Sequence, residues 1–149
     1  MEDSRLDFSQ LVERLHRRYL DIIRLELDRL GVRELTPVQA VLLANVGESE
    51  MVMRELIERG YYQGSNVSYN MKKLVEFGYI EQERSTHDKR AVRVKVTKKG
   101  KEICDRVRAT QGLDPRMLKE AGISKAELDE ARDTLRRLER AWSDLVRYG

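Results

Sequence analysis

The sequence predicts a mainly α protein with one small β-hairpin (α+β), and three observations carry that prediction. Long stretches near both ends repeat apolar residues at helical spacing. Between them, Val92, Val94 and Val96 alternate with Arg93 and Lys95, the period of a half-buried strand. Only two prolines and nine glycines interrupt the 149 residues, and a charged content of 37% against 6% aromatics suits exposed helix.

The elements follow in order. From about Leu6 to Leu30, Phe8, Leu11, Leu15, Tyr19, Ile22, Ile23, Leu27 and Leu30 form an apolar stripe, and Gly31 is a natural stop. Thr36-Pro37-Val38-Gln39 starts the next helix, with Thr as cap, Pro in the first turn and Gln completing a capping box. Gly47 ends it. A third short helix is expected from Met51 to Glu58, burying Val52, Leu56 and Ile57. The fourth, Ser65 to Phe77, turns Val67, Met71, Leu74 and Val75 inward and closes at Gly78. Tyr79-Ile80 opens a strand, residues 85–90 form the hairpin loop, and Val92 to Val96 return. Thr97 caps a helix carrying Ile103, Cys104 and Val107, and Pro115 breaks the segment that follows. Ser124 and Glu127 form a second capping box. The helix it starts repeats Leu128, Ala131, Leu135, Leu138, Trp142 and Leu145 in steps of three and four, a coiled-coil-like seam.

The charge is uneven. Residues 61–101 hold ten Lys or Arg against four Asp or Glu, a net of +6 in a chain of +3, so the remainder carries −3. A basic patch set in a neutral-to-acidic body suits a reader of phosphate backbone. A helix followed by a basic hairpin suits a double helix, one element entering the major groove and the other an adjacent groove. An enzyme is not expected: no nucleophile sits in a recognisable setting and no glycine-rich phosphate loop occurs. Two distant histidines and one cysteine cannot build a zinc site within one chain, no metal-ligand cluster is evident, and no cofactor is implied. The chain has no apolar run of transmembrane length, and its acidic, polar start, MEDSRLDFSQ, is unlike a signal peptide. With a single cysteine, a cytoplasmic location is the expectation.

End helices around a helix-plus-hairpin centre resemble the MarR family of bacterial transcription regulators. The most specific match is Asp88-Lys89-Arg90, followed by the Val-rich strand and Thr97-Lys98-Lys99-Gly100, after a helix ending in Gly78-Tyr79-Ile80. HRRYLDIIRLELDRLG and RGYYQGSNVSYNMKKLVEFGYI also look like a subgroup tied to cell-envelope remodelling and stress tolerance (LdtR-like). The resemblance implies a winged helix-turn-helix over residues 35–100, flanked by dimerisation helices over 1–34 and 101–149. It implies that Ser65 to Phe77 enters the major groove, that Arg90 reaches the minor groove, and that Asp88 holds the wing. It also implies an effector cavity between the DNA-binding and dimerisation parts. Tyr61 and Tyr62 depart from the family's usual small polar residues before the reading helix.

On chemistry, Lys72 and Lys73 are candidates for phosphate neutralisation, and Ser65 and Asn66 lie where helix N–H groups favour phosphate oxygens. Asn66, Ser68, Tyr69 and Asn70 are candidate base readers, since Asn pairs bidentately with adenine. Arg90 is the expected minor-groove residue, with Arg84, His87, Lys89 and Arg93 adding backbone contacts. His16 and Tyr19 are candidates for lining the effector cavity. Two end helices each carrying a continuous stripe predict a homodimer, since wet Leu and Phe forgo roughly 1.5–3 kcal/mol each. The expected function is a homodimeric repressor on a pseudo-palindromic operator, released by a small molecule. Alternatives are a winged-helix module that binds protein, and a thiol switch through Cys104.

Overall fold

The structure, a computed structural model, describes residues 2–47, 51–52, 64–84 and 92–149. The chain divides into two compact units, residues 1–111 and 112–149.

In the first unit, α1 (Glu2–Arg29) and α2 (Pro37–Val46) are joined by a short linker. Thr36 caps α2 as its sequence indicates: Gln39 N donates to Thr36 Oγ1 at 3.2 Å, and Thr36 N donates to Gln39 Oε1 at 3.0 Å. The linker is fastened by Arg24, which is not a residue that periodicity singles out. Its guanidinium donates at 2.8 Å to the carbonyls of Val32 and Leu35, and it pairs with Asp28 at 3.0 Å. These are charge-assisted bonds to backbone acceptors that would otherwise face a protein interior. We predict that Arg24→Ala lowers stability by about 1–2 kcal/mol, read as a fall in the urea midpoint at unchanged m.

Met51–Val52 is a strand, β1, and not the start of a helix. It pairs antiparallel with β3 (Val92–Val96), Met51 opposite Val94 and Val52 opposite Arg93. A short apolar run does not distinguish strand from helix by period, and the open edge of β3 decides the outcome. The rest of the expected third helix, residues 53–58, lies outside the described residues, as do Tyr61 and Tyr62. α3 (Gly64–Glu76) follows, then β2 (Ile80–Arg84), which pairs with the other edge of β3. The sheet is thus three-stranded in the order β1-β3-β2, one strand more than a hairpin. α4 (Lys98–Gln111) closes the unit.

The core gathers one face from each element: Ile23 and Leu27 of α1, Leu42, Leu43 and Val46 of α2, Val67, Met71 and Leu74 of α3, Ile80, Val94, and Ile103, Cys104 and Val107 of α4. The stripe on α1 is therefore not one surface. Its C-terminal half is core, whereas Leu6, Phe8, Leu11, Leu15 and Ile22 are exposed at 41–64%. Glu26, nearly covered, bridges Arg29 at 2.7 Å and Arg106 of α4 at 3.4 Å.

In the second unit, α5 (Pro115–Glu120) precedes α6 (Lys125–Tyr148). Ser124 and Glu127 form the expected capping box. α6 buries no residue. Along its seam Leu135 is 43%, Trp142 44% and Leu145 66% exposed.

Candidate nucleic-acid interface

α3 has a locked inner stripe and an open outer face. Val67, Met71 and Leu74 are each 0% exposed, whereas Asn66, Ser68, Tyr69 and Lys72 are exposed and Asn70 and Lys73 half-buried. Ser65 lies in the first turn. The inward set is the one that the sequence spacing gives, with Val75 half-buried at its border.

The helix ends in a Schellman turn. Gly78 N donates to Val75 O and Tyr79 N to Leu74 O, with Gly78 at φ +81°, a backbone conformation that favours glycine. Tyr79, only 1% exposed, then anchors the helix from behind. Its hydroxyl donates a short hydrogen bond to Glu34, and Lys99 sits 4.4 Å over its ring while donating to Phe77 O at 2.8 Å. The Tyr79 hydrogen bond holds the Glu34 carboxyl below its ordinary value. Burial, reinforced by Glu34, pushes the Tyr79 hydroxyl up. A depressed carboxylate contributes stability above its unfolded pKa, and that contribution fades as pH falls through the folded one. This junction therefore weakens in acid and is indifferent near neutrality. Periodicity did not single out the Glu34–Tyr79–Lys99 cluster; a Tyr in an otherwise apolar strand start, needing a partner for its hydroxyl, was the available signal.

The candidates on α3 differ in their surroundings. Lys73 Nζ lies 3.4 Å from Glu76 and 5.8 Å from the Tyr69 ring centroid. Such half-exposed pairs are worth little and yield readily to a phosphate. Lys72 is exposed. Asn70 accepts a hydrogen bond from the buried Gln39 at 3.3 Å, so its carbonyl oxygen is engaged within the protein. Gln39 itself was visible in the sequence only as a capping residue.

The base of the hairpin is charge-balanced: the cations of β3 face carboxylates of β2. In register, Glu81 stands opposite Lys95 and Glu83 opposite Arg93, pairs that contribute roughly 0.2–1 kcal/mol each to sheet pairing. Arg84 is the last residue of β2. His87, Asp88, Lys89 and Arg90 lie outside the described residues.

The remaining candidates are scattered. His16 is exposed on α1, and Tyr19, half-buried, accepts a hydrogen bond from Gln111 Nε2 at 2.8 Å. Cys104 is 1% exposed, and its thiol donates to Leu43 O at 3.4 Å. A redox sensor needs an accessible thiolate; this thiol is packed as a small apolar residue. No helix among the described residues is long and apolar enough to cross a membrane. Among them, no cluster of His, Cys, Asp or Glu could hold a metal ion.

Comparison with known proteins agrees with this architecture. A winged helix DNA-binding domain model matches residues 35–100. The exopolysaccharide II synthesis transcriptional activator ExpG of Rhizobium meliloti (strain 1021) is 38% identical over 144 residues, which is 96% of this chain and 74% of ExpG. Among solved structures, a MarR mutant from E. coli complexed with operator DNA superposes with a TM-score of 0.74 at 19% identity, covering 91% of this chain and 96% of that one. Staphylococcus aureus MarR in complex with salicylate and kanamycin superposes with a TM-score of 0.78 at 20% identity, covering 99% and 96%. The helix α3 held beside a three-stranded sheet, together with similarity to ExpG over 96% of this chain, places it in the MarR family of winged helix-turn-helix DNA-binding transcriptional regulators.

Proposed function

We propose that the protein acts as a two-fold homodimer that binds a pseudo-palindromic operator, with α3 of each subunit in successive major grooves. The observation that carries the reading is α3 itself: a fully buried stripe fixes it to the core while Asn66, Ser68, Tyr69 and Lys72 stay in solvent. The E. coli MarR complex supports DNA as the partner. Dimerisation is supported by the exposed Leu6, Phe8, Leu11, Leu15 and Ile22 on α1 and Leu135, Trp142 and Leu145 on α6. Monomeric proteins seldom leave such stripes wet. In this reading residues 35–100 form the DNA-binding part, and 1–34 and 101–149 supply the dimer contacts.

The wing tip, Asp88 to Arg90, reaches the minor groove beside each half-site. Arg90→Ala is expected to weaken operator binding roughly tenfold with an unchanged melting temperature. Wild-type affinity with unchanged salt dependence would remove the wing from the interface.

The sequence reading of repression stands beside a relative named as an activator. The same dimer represses or activates according to where its operator lies relative to the promoter, so both signs are compatible with this site. Cell-surface polysaccharide or envelope genes are the proposed targets, from that relative's name and from the LdtR-like segments. Small-molecule release is proposed on the likeness to the salicylate- and kanamycin-bound MarR. A ligand that favours a different spacing of the two reading helices shifts the population away from DNA.

The test is fluorescence anisotropy with duplexes from the DNA flanking the coding region. Preference for one site over random duplex by roughly 10³-fold or more supports the proposal. Weak, sequence-indifferent affinity favours the protein-binding alternative.

A further inference from the structure

Among the described residues Gln39 is the one buried polar side chain, 5% exposed, and its two hydrogen bonds determine which way round its amide lies. The Thr36 backbone N–H only donates, so the Gln39 atom 3.0 Å from it is the carbonyl oxygen Oε1. The other end of the amide is then the NH2 group, which also only donates. It lies 3.3 Å from the Asn70 side chain, so the Asn70 atom facing it is the carbonyl oxygen. The Asn70 NH2 group is the end turned away from Gln39. Asn70 shares a row of α3 with Asn66, four residues before it, and Lys73, three after it; Asn66 is exposed and Lys73 half-buried.

We infer that Gln39 sets the hydrogen-bonding polarity of the reading helix at Asn70. Held this way, Asn70 offers DNA its NH2 group, suited to guanine, which presents only the acceptors O6 and N7, and not the donor-plus-acceptor pair that adenine takes. Gln39 touches no DNA; it is a positioning residue, and its effect is on which base is preferred. The inference rests on the proposal that α3 enters the major groove.

The experiment is selection of binding sites from randomised duplexes by the full-length protein, in wild type and two variants. Gln39→Glu keeps an acceptor for Thr36 N but has no N–H for Asn70. Asn70 then turns over, donating inward and presenting its carbonyl oxygen outward. Asn70→Asp reaches the same outward polarity with Gln39 intact, since the inner carboxylate oxygen still accepts from Nε2. Both variants are expected to move one symmetric position per half-site from guanine towards a base presenting an amino group. That base is cytosine or adenine, and the change in preference is roughly tenfold, with the other positions unchanged. A uniform loss of affinity from the added charge leaves the selected sequence as it was, so it is separable from this effect. Should Gln39→Glu fail to fold, Asn70→Asp carries the test alone. The inference is overturned if wild type and variants select the same sequence. If wild type selects no sequence at all, the proposed function itself falls, and this inference with it.

Discussion

Replacing Leu135 and Trp142 together by glutamate is expected to convert the proposed dimer into a single 17.5 kDa chain without operator binding. Both side chains are more than two-fifths exposed, and α6 buries no residue. In a two-fold interface each side chain counts twice, and with about two-fifths of each left to cover, the lost burial is roughly 3–5 kcal/mol. Four carboxylates brought into the seam add an effective desolvation penalty of several kcal/mol each. The sum rivals the whole association energy of a dimer with a nanomolar Kd, about 12 kcal/mol. The hydrophobic core lies within residues 1–111, so helicity of that unit should persist. Sedimentation equilibrium and anisotropy on the same sample check both halves of the expectation. A variant that keeps its dimer mass would remove this seam from the interface.

The second large effect is expected within the reading domain. A Cβ added at Gly100 would lie 2.2 Å from Tyr79 O and 2.8 Å from Val96 Cγ1. Tyr79 O cannot retreat cheaply, because it accepts hydrogen bonds from Thr97 N at 3.0 Å and Thr97 Oγ1 at 3.1 Å. Gly100→Val should therefore destabilise by about 3 kcal/mol, the upper part of the range for overpacked sites. It should also weaken DNA binding, since the strained junction anchors the end of α3. A urea midpoint equal to that of wild type would show that the close approach is not obligatory.

What the sequence revealed and what it hid divide along physical lines. Features set by neighbours within one turn were legible: the capping boxes at Thr36 and Ser124, the Gly78 stop, and the inward stripe of α3. The alternating valines of β3 were legible for the same reason. Features set by distant partners were not. β1 is two residues long and exists because the edge of β3 is open to it. The stripe on α1 reads as one surface, yet only its second half meets α2 and α4. Gln39 and Asn70 are separated by 31 positions, so their bond left no local trace. The carboxylates facing Lys95 and Arg93 depend on register, which a net-charge count cannot show. The wing residues Asp88 to Arg90 carry the sequence resemblance but lie outside the described residues.

Two copies of α3, carried by one two-fold assembly, should meet the same face of the double helix one turn apart. Hydroxyl-radical footprinting of the operator complex, at an ionic strength where random DNA is not bound, measures this most directly. Two protected half-sites centred about 10 bp apart, with a protein mass of two chains per duplex, are the expected result. One protected half-site occupied by one chain would contradict it.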